Sequence, residues 1–448
     1  MSQILLQKFS GAVPRYTSYP TAPHFHEGIG SSVYRQWLRA LGAGQTLSLY
    51  LHIPYCDRLC WFCACHTKHT LKYEPIRAYL TSLKREIAEI GQNVSKDAVV
   101  TAVHFGGGSP TMLLPEDMTT LMVDLRAAFT FSDSVEISVE MDPNDLDEPR
   151  YDALAAIGMT RASLGVQDFN PKVQETINRI QTFEQTRSVV EAVRARGVRS
   201  VNCDVLYGLP YQTLETLRET ISDIVSLGPD RIALFGYAHV PWMKKHQKMI
   251  PEAALPDTAE RFLQMQEAAR MLVEAGYQPI GIDHFAKPDD SLANAERNGE
   301  LRRNFQGYTD DPANALIGLG ASSIGQLPQG YVQNMHATSE YQRMVDETGL
   351  AAVRGIALTD GDRMRAWVIE RLMCNFGFSI AELRTLYPRI AETVIAEARV
   401  AARDLPEVCR LDGDVFLLTD DGRPFARSVA AVFDAYLANG KGRHSLAV

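Results

Sequence analysis

Short apolar, β-branched runs alternate with longer stretches of helical period through the first half of this chain. The runs at 46–53, 99–105, 135–140, 161–166, 200–206 and 231–235 read as strands. Between them, 75–90, 115–128, 148–157, 183–196 and 214–227 read as helices. Gly158, Gly197 and Gly228 each follow a helix, where glycine accepts the left-handed turn that closes it. Strands joined by helices of this length pair in parallel with right-handed crossovers. The expected fold class is α/β: a partial, three-quarter TIM-type barrel of six parallel β/α units, with an N-terminal extension and a mostly helical C-terminal domain.

The cadence breaks after Ala238. Residues 256–276 read as one more helix, and the glycine-rich stretch 307–330 as an active-site loop. From Leu358 come short helices, an apparent hairpin in CRLDGDVFLLTDDG, and a last helix, a winged-helix-like arrangement. The expected division is an extension over the active site at 1–45 and the barrel at 46–240. A barrel extension with active-site loops follows at 241–357, and the C-terminal domain at 358–448.

Composition narrows the picture. A chain of 448 residues suits one large domain with attachments, and 46 % apolar with 22 % charged residues is globular rather than disordered. A formal charge of −9 argues against a nucleic-acid partner. The start lacks a secretory pattern, and no stretch approaches the roughly 18 apolar residues of a spanning helix. The expectation is a cytoplasmic protein with no membrane partner.

Of seven cysteines, four fall within YLHIPYCDRLCWFCAC, spaced C-x3-C-x2-C-x-C, just after the first strand. Loops beyond the carboxyl ends of barrel strands are where active sites sit. An iron–sulfur cube needs one thiolate per iron, so Cys56, Cys60 and Cys63 are candidate ligands with one iron left open. A closed four-cysteine zinc site fits less well, because its knuckles are separated by longer spacers. Cys65 is either a bystander thiol or a functional one. Cys203, Cys374 and Cys409 stand alone and read as small buried hydrophobes.

Other polar residues fall at successive strand ends: Gly106-Gly107-Gly108-Ser109, then Glu140 and Asp142, Gln167 and Asp168, Asp204, and Tyr237-Ala238-His239. Capping alone explains any one of them, but not five in register around one barrel mouth. Arg179, in INRIQ, reads by itself as a solvated arginine.

CDRLCWFC is the C-x3-C-x2-C signature of radical S-adenosylmethionine (SAM) enzymes, and GGGSPT looks like their glycine motif. Together with PRYTSYPTA, VEMDP, GVQDFN, CDVLYGLP, GIDHFAKPDD and NFQGYT, these segments resemble the oxygen-independent coproporphyrinogen III oxidases over nearly the whole chain. The resemblance implies a [4Fe-4S] cluster and SAM, with two propionates of coproporphyrinogen III becoming vinyl groups through a 5′-deoxyadenosyl radical. It implies that Tyr50, Gly107, Glu140 and Ile324 contact the cluster-bound SAM. A second SAM would meet Phe62, Gly108, Ser109, Gln167, Arg179, Asp204 and Ala238. Phe305 and Gln306 would lie close to both, Arg15 would meet the substrate carboxylates, and Cys65 is the residue carried as catalytic. A flavodoxin or ferredoxin would donate electrons to a monomer. Ser109 stands where the family commonly has threonine, and Ala64 where glycine is usual.

Three other functions compete. Related haem chaperones carry the three-cysteine motif, but generally lack the fourth cysteine and the PRYTSYPTA extension present here. A radical SAM enzyme acting on RNA would show a basic face. A zinc-stabilised structural protein would need the closed site already weighed.

Overall fold

A computed structural model describes residues 3–144 and 146–437. The strands are β1 (Thr46–Ile53), β2 (Val99–Gly107), β3 (Thr130–Met141), β4 (Arg161–Gln167), β5 (Ser200–Tyr207) and β6 (Arg231–Gly236). They stand in sequence order and pair in parallel throughout. Helices Glu74–Asn93, Pro115–Ala128, Glu148–Ala156, Phe183–Ala195 and Leu214–Leu227 connect them. The left-handed glycines are where the sequence puts them, at Gly158, Gly197 and Gly228. Thus the three-quarter barrel forms as expected, with β3 starting earlier than its apolar run.

Alternation along the strands makes the site. In β1, Leu47, Leu49, Leu51 and Ile53 are fully buried in one cluster with Ile76, Leu80 and Leu83 of the first crossover helix. Each such side chain contributes about 1.5–3 kcal/mol. Ser48, Tyr50 and His52 point to the opposite face, the barrel interior. The same parity sends Val103 and Phe105 of β2, Ile137 and Val139 of β3, and Leu164 and Val166 of β4 into that cluster. His104, Glu140 and Gln167 are left to the interior, as is Asp204 of β5.

Beyond β6 the sheet continues with β7 (Gln278–Ile280) and β8 (His284–Ala286), both antiparallel, so that β8 lies against β6. On the other side of β1 come β9 (Ala315–Leu319), β10 (Ile324–Leu327), β11 (Gly330–Asn334) and β12 (Ala352–Ala357). The glycine-rich stretch at 307–330, expected as an active-site loop, is therefore mostly strand, and β9 is a seventh parallel strand. Its glycines serve close packing. A Cβ on Gly318 would lie 2.8 Å from the Ile324 backbone, and one on Gly320 2.5 Å from the Tyr79 hydroxyl. The expected helix at 256–276 is Thr258–Glu274.

The C-terminal part has helices Asp360–Asn375, Ile380–Leu386 and Ala391–Asp404 with a three-stranded sheet. The hairpin of that sheet joins Cys409–Asp412 to Val415–Leu418, as the sequence suggests, and Gly377–Ser379 pairs on its outer side. Residues 438–448 of the expected last domain lie outside the described residues. The N-terminal extension packs on this part: Leu5, Phe9, Tyr16 and Tyr19 share its core, and the Tyr16 hydroxyl donates to Asp434 at 3.0 Å. No described helix is long and apolar enough to cross a membrane.

Candidate active site

The chain leaves β1 through Pro54 into a short parallel pairing of Tyr55–Cys56 with Lys68–His69. That pairing ties the ends of the cysteine loop together. The loop's carbonyls are held from outside: Asn178 Nδ2 donates to Leu59 O at 2.9 Å and Gln247 Nε2 to Phe62 O at 2.9 Å. His246 Nε2 meets Cys63 O at 2.7 Å, and Lys244 Nζ donates to Cys65 O at 2.8 Å. These clamp residues carry no motif, because they bind backbone, and the sequence reading missed them.

All four cysteines of the loop are free thiols. Burial raises the Cys56 and Cys60 thiols, whereas hydrogen bonding from Cys65 outweighs burial at Cys63 and brings it down to about 7. The Cys65 amide donates to Cys63 Sγ at 3.4 Å, and Cys65 is itself exposed. Among the described residues, no three Cys, His, Asp or Glu side chains converge as ligands of one ion. A cube asks for something different, one thiolate on each of separate corners.

Facing the loop, Glu140 is held on both oxygens: His104 Nε2 lies 3.0 Å from Oε1, and the Gly107 amide donates to Oε2 at 3.0 Å. Burial alone would raise this carboxyl, but His104 and that amide together hold it below the ordinary value. The Tyr50 ring stacks on His104 at 5.7 Å, and its hydroxyl lies 3.0 Å from His52 Nδ1. A Cβ on Gly107, at φ +114°, would meet His52 at 2.6 Å; one on Gly108 would lie 2.5 Å from the Tyr55 carbonyl. The bare backbone of the triple glycine is thus what lets β2 approach the cysteine loop. The Ser109 side chain is buried, with its hydroxyl 2.9 Å from that of Thr111.

Arg179 is not a solvated arginine. It is buried, with Nη1 donating to Asp142 at 2.8 Å and Nη2 to the Gly165 carbonyl at 2.6 Å. Nη1 also lies 3.7 Å from Cys60 Sγ. Its Nε is buried with no hydrogen-bond partner, a donor left over beside the cysteine loop.

The β4 end carries a register slip between Gly165 and Gln167, and Gln167 sits at φ +70°. Such bulges re-aim a side chain. Asp204 accepts from Asn202 Nδ2 at 2.8 Å, and burial pushes its carboxyl up to about 6. Other strand-end residues are occupied by the scaffold: Asp168 accepts from Gln212 at 2.6 Å, and His239 lies between Tyr237 and Glu252. The Ala238 carbonyl shares Gln247 with the Phe62 carbonyl, and Phe62 packs against the small apolar cluster that contains Val173 and Ile177. Phe305 and Ile324 meet around Tyr331, which also stacks with Phe25 of the N-terminal extension at 5.7 Å. Gln306 is exposed at the turn of the hairpin 302–309.

Three free thiols on one clamped loop, an orphaned guanidinium donor and glycines that exclude a Cβ fit an iron–sulfur cube with an amino-acid-bearing ligand beside it. Residues 50–224 match the family model of the Radical SAM superfamily. The fold is that of the coproporphyrinogen III oxidase from Escherichia coli, whose solved structure superposes with a TM-score of 0.91 at 38 % identity, covering 97 % of this chain and 99 % of that one. The oxygen-independent coproporphyrinogen III oxidase of Bradyrhizobium diazoefficiens is 47 % identical over 437 residues, 97 % of each chain. The enzyme of the same name from Pseudomonas aeruginosa is 40 % identical over 441 residues, 97 % of this chain and 95 % of the relative. The chain belongs to the oxygen-independent coproporphyrinogen III oxidase family.

Proposed function

We propose that this chain converts two propionate side chains of coproporphyrinogen III to vinyl groups without oxygen, releasing two CO2 and protoporphyrinogen IX for haem biosynthesis. The observation that carries the reading is the set of free thiols, Cys56, Cys60 and Cys63, on a loop clamped at the mouth of the barrel. These three residues would hold a [4Fe-4S] cluster. Held there, cluster and SAM would supply the one-electron chemistry that removes a hydrogen from a propionate β-carbon.

The chain's own residues bind and orient. Glu140, kept ionised by His104 and the Gly107 amide, accepts from the ammonium or ribose hydroxyls of the cluster-bound SAM. Tyr50, Gly107 and Ile324 complete that site. A second SAM rests on Phe62, Gly108, Ser109, Gln167, Arg179, Asp204 and Ala238, with Arg179 Nε directed to its carboxylate. Phe305 and Gln306 border both. Cys65 acts in turnover rather than as a fourth ligand, and Arg15 meets the substrate. In this role the protein works as a cytoplasmic monomer served by a flavodoxin or ferredoxin.

Equilibrium dialysis of SAM against the iron-loaded protein should give two bound per chain. One per chain, with turnover intact, would remove the second site. Mass spectrometry of the anaerobic product should show loss of two carboxyl groups; a substrate left intact beside consumed SAM would contradict the reaction.

A further inference from the structure

A second group of charged residues lies at the same barrel mouth, on the side of β5, β6 and β8, and none of it is used above apart from Arg15. Arg261 of the helix Thr258–Glu274 crosses the ends of β5 and β6. Its Nη1 donates to the Tyr237 carbonyl at 2.8 Å, and its guanidinium lies 6.0 Å from the Tyr207 ring centre. A Cβ on Gly236 would come within 3.2 Å of Arg261 Nη2, and one on Gly208 within 3.1 Å of its Cζ, so glycines open the space it occupies. Arg303, in the hairpin that also carries Phe305, has a side chain only 5 % exposed, over the Tyr308 ring at 4.4 Å. Arg427 reaches in from the C-terminal part, donating to Pro14 O at 3.1 Å and Val13 O at 2.6 Å. That brings the segment ending at Arg15 alongside.

Arg261 and Arg303 keep unused donors. The facing carboxylate is Asp283, next to His284 at the start of β8; it lies 3.9 Å from Arg303 Nη1, too far for a hydrogen bond. Arg303 Nε and Nη1 and Arg261 Nε are buried without hydrogen-bond partners. Burial first, and Arg15 and Arg303 after it, lower the Arg427 guanidinium to about 10. Buried charge is normally paired, so guanidinium donors left over on Arg261 and Arg303 at a mouth mark the place of an anion. Planar forks suit carboxylates.

We infer that Arg261 and Arg303, with Arg15 and Arg427 beside them, form the subsite for the propionate carboxylates of the tetrapyrrole. The inference rests on the proposed reaction for the identity of the anion. The group spans four separate regions of the chain, which is why no motif announces it. Its position follows from neighbours: a Cβ on Gly307, in the Arg303 hairpin, would lie 3.1 Å from His284 Nε2, and the His284 ring acts electrostatically on Asp204 of the barrel interior.

The test is equilibrium binding of coproporphyrin III, a stable four-carboxylate probe, and of its tetramethyl ester, to the iron-loaded protein. The parent protein should prefer the acid. Arg303→Gln and Arg261→Gln should each weaken acid binding about ten-fold or more, the loss of one charge-assisted bond, and leave the ester unchanged. Arg303→Lys keeps the charge over Tyr308 and guards against misfolding; it should fall between the parent and Arg303→Gln. Acid binding unchanged in both glutamine variants would overturn the subsite. A parent protein that binds neither probe would overturn the tetrapyrrole reading and this subsite with it.

Discussion

Replacing Arg179 by methionine keeps the apolar stem of the side chain and removes the guanidinium with its charge. Asp142, whose side chain is 9 % exposed, loses its partner at 2.8 Å, and the Gly165 carbonyl loses a donor at 2.6 Å. Asp142 keeps the Asn144 amide and side chain at 3.1 and 3.2 Å. Breaking a buried pair from one side costs about 3–5 kcal/mol, and the surviving bonds put this case near 3 kcal/mol. That is a large part of the about 5–15 kcal/mol that holds a fold together. Denaturant titration of the cluster-free protein should therefore show a clearly lower midpoint. Adding Asp142→Asn removes the stranded charge and should return most of the loss. SAM binding behaves differently, because the missing Nε donor is restored in neither variant. Both should bind SAM about ten-fold or more weakly, one charge-assisted hydrogen bond. A single variant as stable as the parent would refute the energetic argument. A double variant that binds SAM like the parent would refute the ligand role of Arg179.

Cys56→Ser, Cys60→Ser and Cys63→Ser should each fail to retain a full cluster on iron analysis, while Cys65→Ser should retain it; a full cluster in any of the first three would break the ligand assignment. Asp204→Ala should keep its iron and lose turnover, and unchanged turnover would take Asp204 out of the site. Stability should also depend on pH through Glu86, fully buried under Gly320, Asn334 and Tyr341, whose carboxyl burial raises from 4.5 to about 7. The folded state then holds the proton more tightly. The stabilisation is complete below about 4.5 and is lost as pH rises through about 7, a change of about 3 kcal/mol. Between pH 5 and pH 8 the unfolding free energy of Glu86→Gln should fall by about 2.5 kcal/mol less than that of the parent; equal falls in the two proteins would contradict the argument.

The barrel was legible in the sequence because its signal is local. Leu47, Leu49, Leu51 and Ile53 alternate, and helices of regular length separate the runs. The candidate site was legible where polar residues stand at strand ends, as at Glu140 and Asp204, which strand alternation turns to the barrel interior. The sheet from β9 to β12 was not, because Gly318 and Gly320 read as loop residues, and only the packed structure shows the neighbours that require them. Arg179 looked solvated because its partners, Asp142 and Gly165, come from other strands. The clamp of Lys244, His246 and Gln247 binds carbonyls, and a carbonyl places no demand on the residue that bears it. The arginine group around Asp283 was hidden for a similar reason: only folding brings residues 15, 261, 303 and 427 to one place.

The central claim is that the cysteine loop serves propionate decarboxylation through SAM. The most direct measurement follows protoporphyrinogen IX and 5′-deoxyadenosine together, with iron-loaded protein, coproporphyrinogen III, SAM and a reductant under anaerobic conditions. The account expects both products to rise in step and both to vanish in Cys60→Ser. Deoxyadenosine without protoporphyrinogen, or neither product from protein with an intact cluster, would contradict it.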